Sequence, residues 1–194
     1  MTTRVDGGQI KDGDITEAKL QTKLNPTAQV NNNAFNIGVL GFKLAVNDGL
    51  TVFNLVDGVV DEFHDNTGVD TSESSNATYD ASADTFSNST TSMTLISDTF
   101  TANTTPSTAR IVLFAELPDG TSDFTISVTR DNSTFNNITL TDEGYQAGSS
   151  GIKIFSGNTS LTGSSSPQVQ VRWKIVGSSL TGTNKIHGVS LQWK

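Results

Sequence analysis

Residues 168–175 read Gln-Val-Gln-Val-Arg-Trp-Lys-Ile, and this stretch decides the fold. Polar and apolar side chains alternate at every position, with Val171, Trp173 and Ile175 on one side and Arg172 and Lys174 on the other. Successive side chains of a β-strand point to opposite faces, so the pattern predicts a strand that is buried on one face only. Strands of this kind are typical of antiparallel sheets.

The same alternation recurs through the C-terminal half of the chain. Turn-forming sequences such as Pro118-Asp119-Gly120 separate the candidate strands. Seven candidate strands in this half predict a mainly β fold, with an antiparallel, jelly-roll-like β-sandwich over residues 93–194. The candidates are Met93–Phe100, Ala109–Leu117, Phe124–Thr129, Asn136–Leu140, Ile152–Gly157, Gln168–Ile175 and Lys185–Trp193.

An extended, polar N-terminal arm is predicted over residues 1–33. Asp14 followed by Glu17 resembles a helix-capping box, which indicates a short helix after Asp14. The arm is too poor in apolar residues to bury a core, so we expect it to dock on another subunit or a larger partner. The alternative is a disordered tail. The apolar contacts of docking would come from Ile10, Ile15, Leu20 and Leu24.

An oligomerisation segment is predicted over residues 34–65. A short amphipathic helix spans 34–47, and its apolar side chains recur at spacings of four, three and four residues. This seam, formed by Phe35, Val39, Phe42 and Val46, is too short for a stable coiled coil alone but could join three chains if a neighbouring domain also trimerises. The alternative is an ordinary amphipathic helix packed on the chain's own sheet. Short strands are expected at 50–56 and 59–63, although the first could also extend the helix.

Residues 66–92 have the composition of a polar, acidic linker. Ser, Thr, Asn and Asp dominate the segment, and Val69, Tyr79 and Phe86 are its main candidates for burial. Such a segment buries too little apolar surface to offset the conformational entropy that it loses on ordering. We expect either a mobile loop or an extended strand that lies on a neighbour.

The charge distribution argues against nucleic acid and membrane partners. Residues 1–92 carry five basic and thirteen acidic side chains, whereas residues 93–194 carry seven of each. Binding to phosphates or to an anionic membrane surface requires clustered cations. The apolar stretch at 50–60 is too short to span a bilayer. No signal peptide is recognisable at residues 1–14, so production in a host cytoplasm is expected.

Candidate chemistry in the sequence is sparse. The chain has no cysteine, which excludes disulfides and thiolate metal sites. Residues 57–70 bring Asp61, Glu62 and His64 together with further acids, but the spacing matches no EF-hand calcium loop, and a solvated acidic surface is the expectation. Asp142 and Glu143 are adjacent and are not expected to share a site. We therefore predict no enzymatic activity, no metal and no cofactor.

Aromatic side chains are the remaining candidates for ligand contact. Trp173 and Trp193 are in phase with the apolar faces of their strands, which predicts a place in the core. Tyr145 falls in a predicted loop at 142–150, so it is the candidate for an exposed ligand contact.

Several stretches resemble proteins of tailed bacteriophages. Residues 36–63, NIGVLGFKLAVNDGLTVFNLVDGVVDEF, are similar to segments of predicted fibre and tail proteins of marine phages, and residues 8–20, GQIKDGDITEAKL, are similar to an element near the start of phage fibres. The C-terminal runs ARIVLFAEL, FTISVTRDNSTFNNITLTDEG, VQVRWKI and KIHGVSLQW resemble the terminal β-module of the same group. The resemblance implies a homotrimeric, fibre-like virion appendage whose N-terminal part docks on the particle while its β-module faces outward.

One departure from these proteins affects the expected position on the virion. Many such fibres are much longer, and this chain has no long repetitive shaft. A short fibre, a head or neck appendage, or a capsid decoration (cement) protein therefore fits better than a long tail fibre. Expected partners are a second and third copy of the chain, other virion proteins and host surface polysaccharide. A carbohydrate-binding module is a further alternative.

The predicted seam is tested by Phe42→Asp. A charged side chain at this position should dissociate the trimer and leave the C-terminal β-structure folded, because the two lie in separate predicted segments. Multi-angle light scattering measures the mass, which should fall from three times 20.6 kDa to a single chain. A variant that stays trimeric would place the oligomer contacts elsewhere.

Overall fold

The computed structural model describes residues 52–55, 57–149 and 151–194. The predicted docking arm, with Ile10, Ile15, Leu20 and Leu24, and the predicted helix, with Phe35, Val39, Phe42 and Val46, lie outside these residues. Within the described ranges the regular structure is β-strand, apart from one 3₁₀ turn at Thr121–Asp123, and it contains no α-helix. The mainly β prediction is confirmed.

Thirteen strands follow one another along the described chain. Several are short, and the three longest each have nine residues. The strands are β1 (Val52–Leu55), β2 (Gly58–Asp61), β3 (Ala77–Asp80), β4 (Thr85–Asn88), β5 (Ser92–Ile96), β6 (Phe100–Thr101), β7 (Thr108–Glu116), β8 (Phe124–Thr129), β9 (Asn136–Ile138), β10 (Thr141–Tyr145), β11 (Lys153–Ser160), β12 (Gln170–Ser178) and β13 (Lys185–Trp193).

The strands form two sheets, and every strand pair among them is antiparallel. The larger sheet has eight strands in the order β1-β2-β13-β7-β11-β10, and the hairpin β3–β4 joins it through β13. The smaller sheet has five strands in the order β5-β12-β8-β9, with β6 also paired to β12. The predicted antiparallel arrangement is therefore confirmed.

One apolar core takes side chains from both sheets. Ile111 and Leu191 come from the larger sheet, and Trp173 and Ile175 from the smaller one. Trp173 is fully buried, and Trp193 is 9% exposed, so the prediction that both tryptophans pack in the core is confirmed. Alternation along the strands makes this possible, because it turns one face of each sheet into an apolar surface.

The segment 66–92 differs from the predicted linker. It contains β3 and β4, and Phe86 is buried opposite Ile186 of β13. The ring centroid of Phe86 lies 5.0 Å from those of both Phe63 and Tyr79. These aromatic contacts bury apolar surface in a segment whose composition is mostly polar. Residues 77–88 are thus paired within the larger sheet, and Asp70 and Ser75 make backbone hydrogen bonds to β5, so the segment does not form a separate linker.

The predicted strand boundaries are correct for some strands and wrong for others. β8 and β13 have the predicted bounds, whereas the candidate at 93–100 is divided between β5 and β6. β10 occupies residues that were expected to begin a loop. Its sequence, TDEGY, has few apolar residues because it is the last strand of its sheet and its side chains are mostly exposed.

Arg172 connects the smaller sheet to the loop before β3. Its side chain is on the polar side of β12, yet it is only 3% exposed. The guanidinium donates hydrogen bonds to Asp70 at 2.8 Å, to Glu73 at 2.9 Å and to the Ser97 carbonyl oxygen at 2.7 Å. A buried cation must be paired to avoid a large desolvation cost, so this network holds the 70–73 turn against the sheet.

Arg172→Ala should lower the free energy of unfolding by about 3 kcal/mol, because it removes the cation that pairs with Asp70 and Glu73 and the donor to the Ser97 carbonyl oxygen. Urea denaturation monitored by tryptophan fluorescence provides the measurement. Lys153→Ala is the matched control, since Lys153 pairs with Asp142 on the surface and its loss should change stability much less. Equal losses in the two variants would show that the Arg172 network does not hold the turn.

Candidate functional site

A shallow groove lies on the larger sheet where β7, β11 and β13 run side by side. It has a volume of about 590 Å³ and is lined by residues 108–110, 158–160 and 192–194. These three segments contain Thr, Ser, Asn, Gln, Arg and Lys side chains and no acidic residue. The side chains that line the groove therefore carry two positive charges and no negative charge, in a chain whose formal net charge is −8.

The sheet register sets three side chains in a row across the groove. Asn158 of β11 is opposite Arg110 of β7, and Arg110 is in turn opposite Gln192 of β13. All three are exposed. Neighbouring strands are about 4.8 Å apart, so the row presents an amide, a guanidinium and a second amide at that spacing.

Alternation of side chains exposes Arg110 and Gln192 at the groove and buries their neighbours along the strands. Ala109 and Trp193, which lie next to Arg110 and Gln192 in sequence, are paired neighbours on the opposite face and belong to the core. The indole Nε1 of Trp193 is buried and has no hydrogen-bond partner among the described residues. The groove thus has a rigid floor of paired backbone over a packed core.

Tyr145, the predicted ligand contact, is exposed but lies apart from this groove. It is on the outer strand β10, is 66% exposed and has the ammonium group of Lys153 5.3 Å from its ring centroid. Its register partner Lys153 is five residues before Asn158 on β11, a separation of about 17 Å along a strand. The structure does not bring Tyr145 together with Arg110, Asn158 and Gln192.

Sequence reasoning missed the groove residues. Arg110 and Gln192 occupy the polar positions of predicted strands, but every half-buried strand has such positions. The missing information was the register, which determines that Asn158, Arg110 and Gln192 are adjacent.

The acidic stretch at 57–70 differs from the predicted solvated surface at its centre. Asp61 is fully buried and Glu62 is 6% exposed. The reason is that β2 is an inner strand, paired with both β1 and β13, so that the residues at its end are covered. Among the described residues, no group of three or more His, Asp and Glu side chains is placed to hold a metal ion.

Burial alters the protonation of these carboxyl groups. Asp61 accepts a hydrogen bond from the Phe63 amide at 2.9 Å through one oxygen, while the other has no partner among the described residues. Desolvation raises the pKa of Asp61 to about 7, with further repulsion from Asp65 and Asp98. Burial also raises the pKa of Glu62, although the nearby His64 opposes this.

His64 connects Glu62 to the hairpin β3–β4. Its Nε2 is 3.3 Å from a Glu62 oxygen, and its Nδ1 is 2.9 Å from a carboxylate oxygen of Asp84, which lies in the turn between β3 and β4. The Tyr79 hydroxyl of the same hairpin donates to the Phe63 carbonyl at 2.9 Å. These contacts attach the hairpin to the end of β2, which is a structural role.

The other acidic residues that were considered as a catalytic pair have separate partners. Asp142 pairs with Lys153 at 2.6 Å, whereas Glu143 accepts from the Ser156 hydroxyl at 2.6 Å. His187 lies 2.9 Å from Glu116. Asp142 and Glu143 therefore contact different partners and do not form a shared site.

A scan against known protein families found no match, and a search of curated proteins found no similar sequence. In the part of the chain that the structure describes, no helix has the length and apolar character needed to cross a bilayer.

Asp61→Asn should remove the part of the pH dependence of the free energy of unfolding that comes from the Asp61 carboxyl group. The pKa of Asp61 rises from 3.8 to about 7 on folding, so the folded state holds an extra proton between these values. The stabilising effect of that proton is present at pH 4 and is lost as the pH rises through about 7. Between pH 4 and pH 8, the free energy of unfolding of the variant should therefore rise relative to that of the wild type by on the order of 4 kcal/mol.

Urea denaturation at pH 4, 6 and 8 measures this difference. Asp98→Asn is the control, because it removes a neighbouring but exposed carboxylate and should keep most of the wild-type pH profile. A constant difference between Asp61→Asn and the wild type across this range would show that Asp61 does not change its protonation on folding.

Proposed function

We propose that this chain is a non-enzymatic structural protein of a bacteriophage particle, and that its β-structure contacts host surface polysaccharide. The row of Asn158, Arg110 and Gln192 in the groove is the observation that carries the polysaccharide contact. The resemblance of the sequence to phage fibre and tail proteins supports the place in the virion.

The chemistry of the row suits a ligand rich in hydroxyl groups. Amide side chains both donate and accept hydrogen bonds, and a guanidinium donates several in a fixed geometry. The groove is shallow and exposed, whereas sites for small molecules usually enclose most of the ligand. An extended polymer that lies across several strands matches this shape better than a small metabolite.

In the proposed assembly the chain forms a short, homotrimeric, fibre-like appendage. The arm at 1–33 docks on a capsid, neck or tail protein, and the seam of Phe35, Val39, Phe42 and Val46 joins the three copies. The two sheets form a jelly-roll-like sandwich that faces outward and presents the groove to the host. The protein is made in the host cytoplasm and becomes part of the virion.

A capsid decoration protein is the alternative within the same class. That role requires an arm and an acidic linker that bridge capsid subunits. Residues 77–88 form strands of the larger sheet, and Val69 and Phe86 are buried. The segment has less freedom to bridge subunits than a linker would have, which favours the outward-facing appendage.

The double variant Asn158→Ala/Gln192→Ala should weaken polysaccharide binding at least about tenfold, because each amide contributes hydrogen bonds worth on the order of 1 kcal/mol. Purified chain is titrated against a panel of bacterial surface polysaccharides by biolayer interferometry. Thr125→Ala/Asn137→Ala is the matched control, since both residues are exposed polar residues of the smaller sheet.

Binding that is lost in the groove variant and kept in the control supports the proposed contact. Polysaccharide binding that both double variants retain at wild-type strength would place the contact elsewhere, with Tyr145→Ala as the next variant. A chain that binds no polysaccharide of the panel would remove this part of the proposed function.

A further inference from the structure

The cations of the described chain fall into two groups according to their partners. Five of the seven Lys and Arg side chains in residues 57–194 contact groups of their own chain. Arg172, Lys153 and Lys185 form ion pairs, Arg130 donates to the carbonyl oxygens of Pro106 and Gly163, and the Lys174 ammonium lies 3.8 Å from the ring centroid of Phe135.

Arg110 and Lys194 form the second group, and both line the groove. Within the described residues, neither side chain makes a hydrogen bond or an ion pair, and both residues are exposed. The backbone holds Lys194 in place, because its main-chain oxygen accepts from the Ser107 amide at 2.7 Å and the Thr108 amide at 3.0 Å. Two side-chain cations that have no partner among the described residues therefore line the same groove of an acidic chain.

We propose that the groove binds an acidic polysaccharide, with Arg110 and Lys194 pairing with its carboxylate or sulfate groups. Asn158 and Gln192, on either side of Arg110, bind the hydroxyl groups of the adjoining sugars. This inference rests on the proposed function and specifies the class of its ligand. A guanidinium matches a carboxylate or sulfate group through two parallel hydrogen bonds, which makes Arg110 the principal anion contact.

Other polyanions fit the groove less well. Nucleic acid binding depends on several phosphate contacts, and the groove offers two cations. Protein interfaces are built around buried aromatic or arginine anchors in an apolar centre, whereas the exposed side chains of this groove are polar or charged. Side chains that repeat at the strand spacing of about 4.8 Å match a polymer of sugar rings, each of which is similar in length.

The test uses two pairs of polymers that differ mainly in charge: polygalacturonate and its methyl ester, and dextran sulfate and dextran. The full chain should bind the acidic member of at least one pair at least tenfold more tightly than its neutral counterpart. Affinity should fall as salt is added, since exposed charges are screened. Poly-glutamate and single-stranded DNA, as acidic polymers of other classes, should bind at least tenfold more weakly.

Three charge variants assign the effect to the groove. Arg110→Gln should weaken binding of the acidic polymer about tenfold and reduce its salt dependence, and Lys194→Gln should do the same to a smaller extent. Arg110→Lys should recover part of the loss, because it restores the charge without the paired donors. Lys174→Gln is the control, since it removes one cation that lies outside the groove, and it should bind like the wild type.

The outcomes separate this inference from the proposed function. Equal binding of acidic and neutral polymers, together with loss in Asn158→Ala/Gln192→Ala, would overturn the acidic class and leave the polysaccharide contact in place. Equal binding of poly-glutamate or DNA would identify a general polyanion surface and overturn the inference. The absence of binding to every polymer would overturn the inference and would agree with failure of the polysaccharide contact itself.

Discussion

The pairing of β7 with β13 is the constraint on which the rest of the structure depends. These two nine-residue strands lie at the centre of the larger sheet, and their register places Ile111 opposite Leu191 and Arg110 opposite Gln192. The first pair belongs to the core and the second to the groove. A shift by one residue would exchange the two faces, because strand side chains alternate. Burial of the core therefore also determines which side chains line the groove.

Charges in the interior are accommodated in two different ways. Arg172 keeps its charge, because Asp70, Glu73 and the Ser97 carbonyl oxygen surround the guanidinium. Asp61 has no cation of this kind among the described residues, and burial instead raises its pKa to about 7 so that the neutral form is favoured. Arg172 attaches the segment before β3 to the smaller sheet, whereas Asp61 makes only a local hydrogen bond to the Phe63 amide at the end of β2. Most other cations of the described residues also contact groups of the chain itself, and this contrast supports the proposal that Arg110 and Lys194 bind a ligand.

Local patterns predicted the strands, and contacts between distant segments determined the remaining features. β8 alternates regularly, and β13 does so after an irregularity between Ile186 and Gly188; both have the predicted bounds. In contrast, β3 and β4 are polar and depend on the contacts of Phe86 with Phe63 and Tyr79. β10 is an outer strand whose side chains are mostly exposed, so its sequence lacks the alternation of apolar residues by which a strand is recognised. The exposure of Tyr145 was predicted correctly, but the row across the groove requires the register between three strands, and a single sequence does not contain that information.

The central claim is that the ligand lies across β11, β7 and β13 in the groove. Backbone amide chemical shifts, measured by ¹⁵N NMR while an acidic oligosaccharide is added to the full chain, test this claim most directly. The account predicts that the changes are concentrated in residues 108–110, 158–160 and 192–194. Changes centred on Tyr145 and β10, or on the contacts between Glu62, His64 and Asp84, would contradict it, as would shifts that stay constant throughout the titration.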